Sequence, residues 1–439
     1  MLGGGTFTSQ NKTLPGAYIN FISMARATAA LSERGVATMP LELDWGPDGT
    51  VFEVEQEDFI KDSIKVFGYS YTDAKMVALR ELFKHATKAF LYRLTSDGEK
   101  ATNLFATAKY SGTRGNDLKV VVADSVDVEG SYDVKLYMDA TLVDSQTVAG
   151  AGELVDNEFV VWKKDAELAV TSGTALTGGT NGTVTGASHQ KYLNAIEPYS
   201  FNAMGVCTDD APTKALYAAF TRRMRDTVGA KFQCVLFSHA ADYEGVINVK
   251  NSVDVVPWVV GIEAACAVNA SCTNVAYDGE LTVAMPYTQQ TQLESAVKAG
   301  EFVLHSVGTE VRVLEDINSF VTFTENKNEL FQSNQTVRVI DEIAMDIASL
   351  FNTKYHGKIQ NDADGRVSLW NDIVACHKLL EKRRAIENFS GDDVVVSAGN
   401  KKKGVAIEDK ITVVNTMEQL YMTVAIQEEV KKDVKHIHE

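Results

Sequence analysis

The stretch from Ile411 to Ile426 constrains this chain more than any other. From Leu420 onward it alternates: Leu420, Met422, Val424 and Ile426 face one way, and Tyr421, Thr423 and Ala425 the other. A period of two with this apolar content describes a half-buried strand. The remaining residues, 427–439, are charged and offer no further strand to pair with. A strand so placed either closes a sheet in its own domain or adds to the edge of a neighbouring chain's sheet. The other end raises the same expectation. Gly3 to Asn11 is small and polar, and it leads into a second extended run, Ala17-Tyr18-Ile19-Asn20-Phe21, just after Pro15-Gly16. Two strands on tethers point to a subunit that hooks onto copies of itself.

The chain has 439 residues, enough for two to four domains with ample cores. Its formal net charge of -17 argues against a nucleic-acid binder, whose footprint is basic. No apolar run approaches bilayer length. Met1 to Gly16 lacks a basic n-region and an apolar h-region, so no secretory signal is expected and use in a cytoplasm-like compartment is the expectation. The cysteines are Cys207, Cys234, Cys266, Cys272 and Cys376, an odd count with no CxxC, read as reduced, buried small hydrophobes. A Cys266–Cys272 disulfide or metal pair is conceivable, but the spacing, without a nearby histidine, is poor for a ligand set.

Residues 23–100 read as the first part of an α/β core. Met39 to Asp58 is loop and short strand. A helix comes next, capped by Thr72 or Asp73, with Met76, Leu79, Leu82, Phe83, Ala86 and Phe90 at helical spacing, passing into a strand over Ala89–Leu94. Over 101–186 helical periodicity vanishes and short alternating segments appear at Leu118–Val122, Tyr132–Met138, Thr141–Thr147 and Glu158–Trp162. With glycine-rich turns between them, these predict an inserted antiparallel β-sandwich. Thr171 to Ser188, rich in Gly, Thr and Ser, reads as a flexible exit. Residues 187–330 return to α/β. We expect a strand at Ser200–Cys207, a helix from Asp210-Ala211-Pro212 to Gly229 with Leu216, Phe220, Met224 and Val228 on one face, and a strand at Lys231–Phe237. A helix over Pro257–Ala270, a strand at Leu281–Met285, a helix over Gln289–Ala299 and a hairpin at Val307-Gly308-Thr309 complete this layer. Residues 331–414 read as an α+β domain. It has helices at Gln335–Asn352 (apolar stripe Ile340, Ile343, Ala344, Ile347, Leu350, Phe351) and Arg366–Ile386 (Trp370, Ile373, Val374, His377, Leu380). Strands are expected at Val394–Val396 and Val405–Val414, joined by the turn Asn400–Gly404.

No constellation carries chemistry well. Ser238-His239-Ala240-Ala241-Asp242 comes after an apolar strand, at the end where α/β folds place active sites. Residues this close in one turn do not form a nucleophile–base–orienter line, and there is no G-x-S-x-G elbow. Asn361-Asp362-Ala363-Asp364-Gly365 opens like a calcium loop, but Ile373 stands where the closing glutamate is required, so a helix turn capped by Asp364 is expected. The glycine-rich runs at Gly112–Gly115 and Gly178–Gly182 lack the strand-to-helix context of a phosphate cradle. His436 and His438 lie in the charged tail. Lys378, Lys382, Arg383 and Arg384 crowd a helix end, either complementing its dipole or docking an acidic partner. Lys401 to Lys403 form a charged hairpin tip. No catalytic residue, cofactor or metal is assigned.

Gly3-Gly4-Gly5-Thr6-Phe7 with Pro15 to Phe21, Tyr110-Ser111-Gly112-Thr113-Arg114-Gly115-Asn116-Asp117, and Met417-Glu418-Gln419-Leu420-Tyr421-Met422-Thr423-Val424 resemble contractile phage tail sheath proteins. The type is that of Gram-positive phages, defective prophages and phage-tail-like bacteriocins, and the resemblance runs along nearly the whole chain. It implies an α/β multidomain fold: an N-terminal arm (1–22), a subtilisin-like α/β middle without protease function, the inserted sandwich, an inner α+β C-terminal domain and a C-terminal arm (415–439). It also implies stacked hexameric rings around an inner tube protein, contact with baseplate and terminator or collar proteins, a location in the particle after assembly in the bacterial cytoplasm, and neither nucleic acid nor membrane insertion. Arms hinged at Gly3–Gly5 and Asn415-Thr416 would be exchanged onto a receiving sheet of Val394, Val395, Val396, Ile411 and Val413. Lys378, Lys382, Arg383 and Arg384 would face the tube. The competing readings are an α/β hydrolase-like enzyme using Ser238, His239 or Asp242, and another self-polymerising shell or baseplate component.

Overall fold

The computed structural model describes residues 34–95 and 97–426. The expected N-terminal strand Ala17–Phe21 and its Gly3–Gly5 joint lie outside the described residues, as does the tail from 427.

A seven-stranded sheet organises the centre. Its spatial order is Glu301–Phe302, Val246–Val249, Gln233–Phe237, Ala203–Gly205, Val36–Leu41, Lys88–Arg93 and Val51–Glu55. Every pairing is parallel except that of the Val51–Glu55 edge with Lys88–Arg93. A parallel sheet needs both faces covered, and successive strand residues serve opposite cores. Val235, Ile247 and Val249 join one core with Trp258 and Val259 of the helix Val256–Ala265. Cys234, Leu236 and Val246 join the other with Tyr192 and Tyr217 from the helices Gly186–Ile196 and Ala211–Arg223. Gly205 is required at the first of these contacts, because a Cβ there would lie 2.3 Å from Val260 Cγ2.

The inserted β module holds a four-stranded sheet, ordered Thr171–Ala175, Leu118–Asp124, Tyr132–Met138 and Thr141–Val148, and a three-stranded one, Lys100–Thr102, Ala106–Ser111 and Val160–Trp162. Inward residues of both sheets, among them Val120, Leu136, Ala108 and Trp162, share one core. Trp45, fully buried, reaches in from the α/β region and meets Tyr110 edge-on at 5.4 Å. Arg93 ties the same junction, donating to the carbonyls of Leu43, Gly46 and Ser111. Gly112 sits there at φ +126°, where a Cβ would stand 2.0 Å from the Asp44 carbonyl oxygen.

Several expectations change. Met39–Leu41 is no loop but the end of a buried strand, with Pro40 accommodated in it, and Gln56–Phe67 is helical. The expected flexible exit begins as the edge strand Thr171–Ala175 and ends inside the helix starting at Gly186. Between them Asn116 and Asn181 bind the backbone of Gly179 and Thr113. Those side-chain hydrogen bonds supplement the few apolar anchors of this segment, Leu176 in the sandwich core and Val184 against the α/β core. Leu281–Met285 forms no strand. The buried face of Ala211–Arg223 uses Thr213, Tyr217 and Phe220, continued by Met224, while Val228 is exposed.

Candidate functional site

The C-terminal module is built on the helices Asn334–Leu350 and Ala363–Lys382. On the first, the face turned to the α/β region is charged. Arg338, Asp341, Glu342 and Asp346 are buried, whereas Ile340, Ile343 and Ile347 are only partly covered and Phe351 is exposed. The expected apolar stripe packs instead on the second helix: Leu350 is buried with Leu369 and Ile373, Ile347 packs against that cluster and Ile343 against Leu380 and Ile386, so the helix lies between a charged seam and an apolar one. The reason lies in what the α/β region presents. Arg338 donates to Glu263 (2.6 Å) and Asp316 (2.5 Å), and Asp341 receives both terminal nitrogens of Arg225 at 2.6 and 2.8 Å. Burial holds the Glu263 carboxyl well above its ordinary range, while Arg338 helps keep Asp316 low despite burial. Two buried pairs of opposite polarity, one turn apart, specify a single docking register of this helix. The four charges recur at helical spacing as regularly as the isoleucines; that was the available signal.

The second helix carries a hairpin, Val394–Ala398 with Val405–Asp409. His377 Nε2 lies 2.6 Å from Asp409 Oδ2, and Trp370 Nε1 donates to Gly391 and Val394 carbonyls. The single strand expected over Val405–Val414 is two. Thr412–Val413 pairs instead with Ile386–Glu387, and Ile411 belongs to no strand. Among the described residues each hairpin strand is paired on one side only, and Val395 is half exposed. Asn361 anchors the tip by donating to the Lys402 and Gly404 carbonyls, and Asp362, not Asp364, caps the helix through Gly365 N–H. The motif that resembled a calcium loop thus supports a hairpin and a cap.

Beyond Val413 the chain is first clamped and then released. Gln335 donates to the Val414 carbonyl and accepts from Thr416 N–H; Thr336 donates to Asn415; Thr273 donates to Glu418 at 2.8 Å. Asn415-Thr416, expected as a soft joint, is the held root of the segment. From Gln419 no regular structure forms, and the apolar side chains are exposed from 69% at Val424 to 93% at Ile426, with Leu420 at 85%. The alternating stretch finds no sheet among the described residues. Lys378, Lys382, Arg383 and Arg384 are all exposed at the expected helix end and form no ion pair among the described residues.

The enzyme-like turn is occupied by structural work. Ser238 Oγ accepts from Lys250, His239 N–H donates to Asn248, and Asp242 accepts the N–H groups of Val321 and Thr322. Ser238 and Asp242 both have φ of 47°, which fits a tight strand-capping turn.

Four family descriptions match the chain in succession: the tail sheath protein Gp18 domain III N-terminal region over 34–94, the phage tail sheath protein β-sandwich domain over 86–181, the phage tail sheath protein central domain over 182–319 and the phage tail sheath C-terminal domain over 326–427. The phage-like element PBSX protein XkdK of Bacillus subtilis (strain 168) is 32% identical, over 97% of this chain and all of its own length. The sheath tail protein of Desulfitobacterium hafniense superposes with a TM-score of 0.82 at 35% identity, covering 94% of this chain and 100% of that one. The helical sheath of the anti-feeding prophage in its contracted state shares the fold, with a TM-score of 0.58 at 13% identity over 95% of this chain and 100% of its own. The chain belongs to the phage tail sheath protein family, whose members are structural proteins and not enzymes.

Proposed function

We propose that this chain is the repeating subunit of a contractile sheath. Copies polymerise as stacked hexameric rings around an inner tube, and contraction drives that tube through a cell envelope. The observation that carries the reading is the exposed, alternating segment Leu420–Ile426, which leaves a clamped root, together with a hairpin whose outer edges are unpaired among the described residues. Such a segment satisfies its backbone and buries one face by adding to a sheet edge, and main-chain hydrogen bonds of that kind survive rigid-body movement of the joined subunits. The edges of Val394–Val396 and Val405–Asp409 are the receiving site, with Ile411 and Val413 supporting it from the adjoining small sheet. Leu420, Tyr421, Met422, Thr423, Val424 and Ile426, together with Ala17 to Phe21 at the other end, are the donated strands. The hinge then lies after Glu418.

The centre is a subtilisin-like α/β domain carrying the sandwich outward, and the two C-terminal helices form the inner layer. Lys378, Lys382, Arg383 and Arg384 supply an exposed cationic surface for the tube. The likeness to a sheath seen contracted supports a metastable extended lattice that relaxes to a more buried one without cofactor or nucleotide. Baseplate and collar proteins complete the partners, and the subunit is placed in the particle after assembly in the bacterial cytoplasm.

Electron microscopy of the purified chain and of a chain ending at Glu418 tests this. The full chain, alone or with its tube, should give helically striated tubes and the truncation folded monomers. Tubes of ordinary length from the truncation would refute strand donation.

A further inference from the structure

Two thiols lie side by side where the α/β region meets the C-terminal segment, and nothing in the assembly reading uses them. Cys266 ends the helix Val256–Ala265 and is partly exposed; Cys272 is buried. Their sulfurs and a carboxylate oxygen of Asp316 all fall within 4.8 Å of one another. Arg34 donates to the Cys266 carbonyl, and Arg338 donates to Ala270 in the loop between the cysteines. We propose that Cys266 and Cys272 are a thiol–disulfide pair, with Cys266 the reactive sulfur and Cys272 the resolving one.

The setting favours that chemistry over metal binding. The neighbouring Cys272 thiol holds the Cys266 thiol below its ordinary value against burial, with the Arg338 and Arg34 charges acting in the same sense, whereas Cys272, its Sγ donating to the Ile262 carbonyl, is held well above. An accessible thiol beside cations with a second thiol in reach is the arrangement that reacts with disulfides. A divalent cation would meet the Arg338 guanidinium. It would also compete for Asp316, whose Oδ1 already accepts from Asn334 and whose Oδ2 accepts from Arg338 and Cys272 N–H. The reactant is a small disulfide. Cys266 thiolate attacks one of its sulfurs and expels a thiolate, giving a mixed disulfide. Cys272 then attacks Cys266 Sγ as its proton passes to the departing second thiolate, which leaves as the thiol. Two protein thiols are oxidised and one small disulfide is reduced to two thiols. Closure ties the helix end to Thr273, whose hydroxyl holds Glu418, so oxidation fixes the root of the C-terminal segment.

The test uses the full chain, reduced and freed of reductant, exposed to oxidised glutathione, quenched with N-ethylmaleimide and mapped by mass spectrometry. We expect a Cys266–Cys272 cross-link with no lasting adduct on either residue. Cys272→Ser should trap glutathione on Cys266. Cys266→Ser should leave Cys272 unmodified under conditions that fully oxidise the pair in the unaltered chain, with far-ultraviolet dichroism reporting that each variant is folded. Free thiols at 266 and 272 while a cysteine-containing peptide in the same mixture is fully modified would overturn the assignment. So would a stable Cys266 adduct in the unaltered chain, or protection of both thiols by zinc ion alone.

Discussion

If the exposed C-terminal segment is a donated strand, its two faces should contribute unequally to assembly while contributing nothing to the fold. Replacing Leu420 and Val424 by serine removes two side chains from one face. Both are largely exposed in the single chain, at 85% and 69%, so the folded subunit should lose less than about 0.5 kcal/mol. In the joint, each buried side chain of this size is worth about 1.5–3 kcal/mol, so the pair removes about 3–6 kcal/mol. With a tenfold change for each ~1.4 kcal/mol, the concentration needed for polymerisation should rise at least about 100-fold. Sedimentation of polymer across a concentration series measures that threshold, and thermal melting of the unassembled chain checks the fold. Thr423→Ser, on the opposite face, should shift neither. An unchanged threshold for the double variant, with intact tubes, would refute strand donation by this segment.

Arg225→Ala strands the buried Asp341 carboxylate and should cost about 3–5 kcal/mol in urea unfolding. The double change Arg225→Met with Asp341→Leu should recover most of it, and a single-variant loss below about 1 kcal/mol would count against the docking seam. Burial, reinforced by Glu342, lifts the Asp346 carboxyl to about 7. The folded chain therefore keeps a proton that the unfolded chain releases near pH 4, so stability falls as pH rises from about 4 to 7. Asp346→Asn should flatten that slope in pH-dependent melting and raise stability at pH 8. Charge reversal at Lys382 and Arg383 should weaken binding to the tube protein in a salt-dependent way, read by co-sedimentation, and leave sheath-to-sheath contacts intact; unchanged binding would remove this patch from the tube surface.

Local pattern made much of the fold legible. The sandwich strands Tyr132–Met138 and Thr141–Val148 stand where alternation placed them, and Asp210 with Pro212 marked a helix start that the structure keeps. Short or compositionally neutral pieces were less legible. Met39 to Asp58 reads as loop and short strand because of Pro40 and the turn residues Trp45 to Gly49, yet parallel neighbours on both sides make Val36–Leu41 a strand. Nor does the sequence reveal that Val413 would leave Val405–Asp409 for Ile386, since pairing partners depend on where the preceding helix delivers the chain.

By itself the sequence determined that Leu420–Ile426 is an alternating apolar segment with only a charged stretch beside it, and that no catalytic triad or metal motif interrupts the α/β pattern. Periodicity, turn residues and ligand spacing are local properties, and they are written residue by residue. The tertiary structure alone decided which face of Asn334–Leu350 meets the α/β region, where the C-terminal segment is clamped, and that Cys266 and Cys272 share a site with Asp316. Those outcomes depend on charges and carbonyls brought together from distant parts of the chain. Glu263, Asp316 and Arg225 converge only after folding, and their need for buried partners turns the charged face of this helix to the α/β region while its apolar face packs on the second helix.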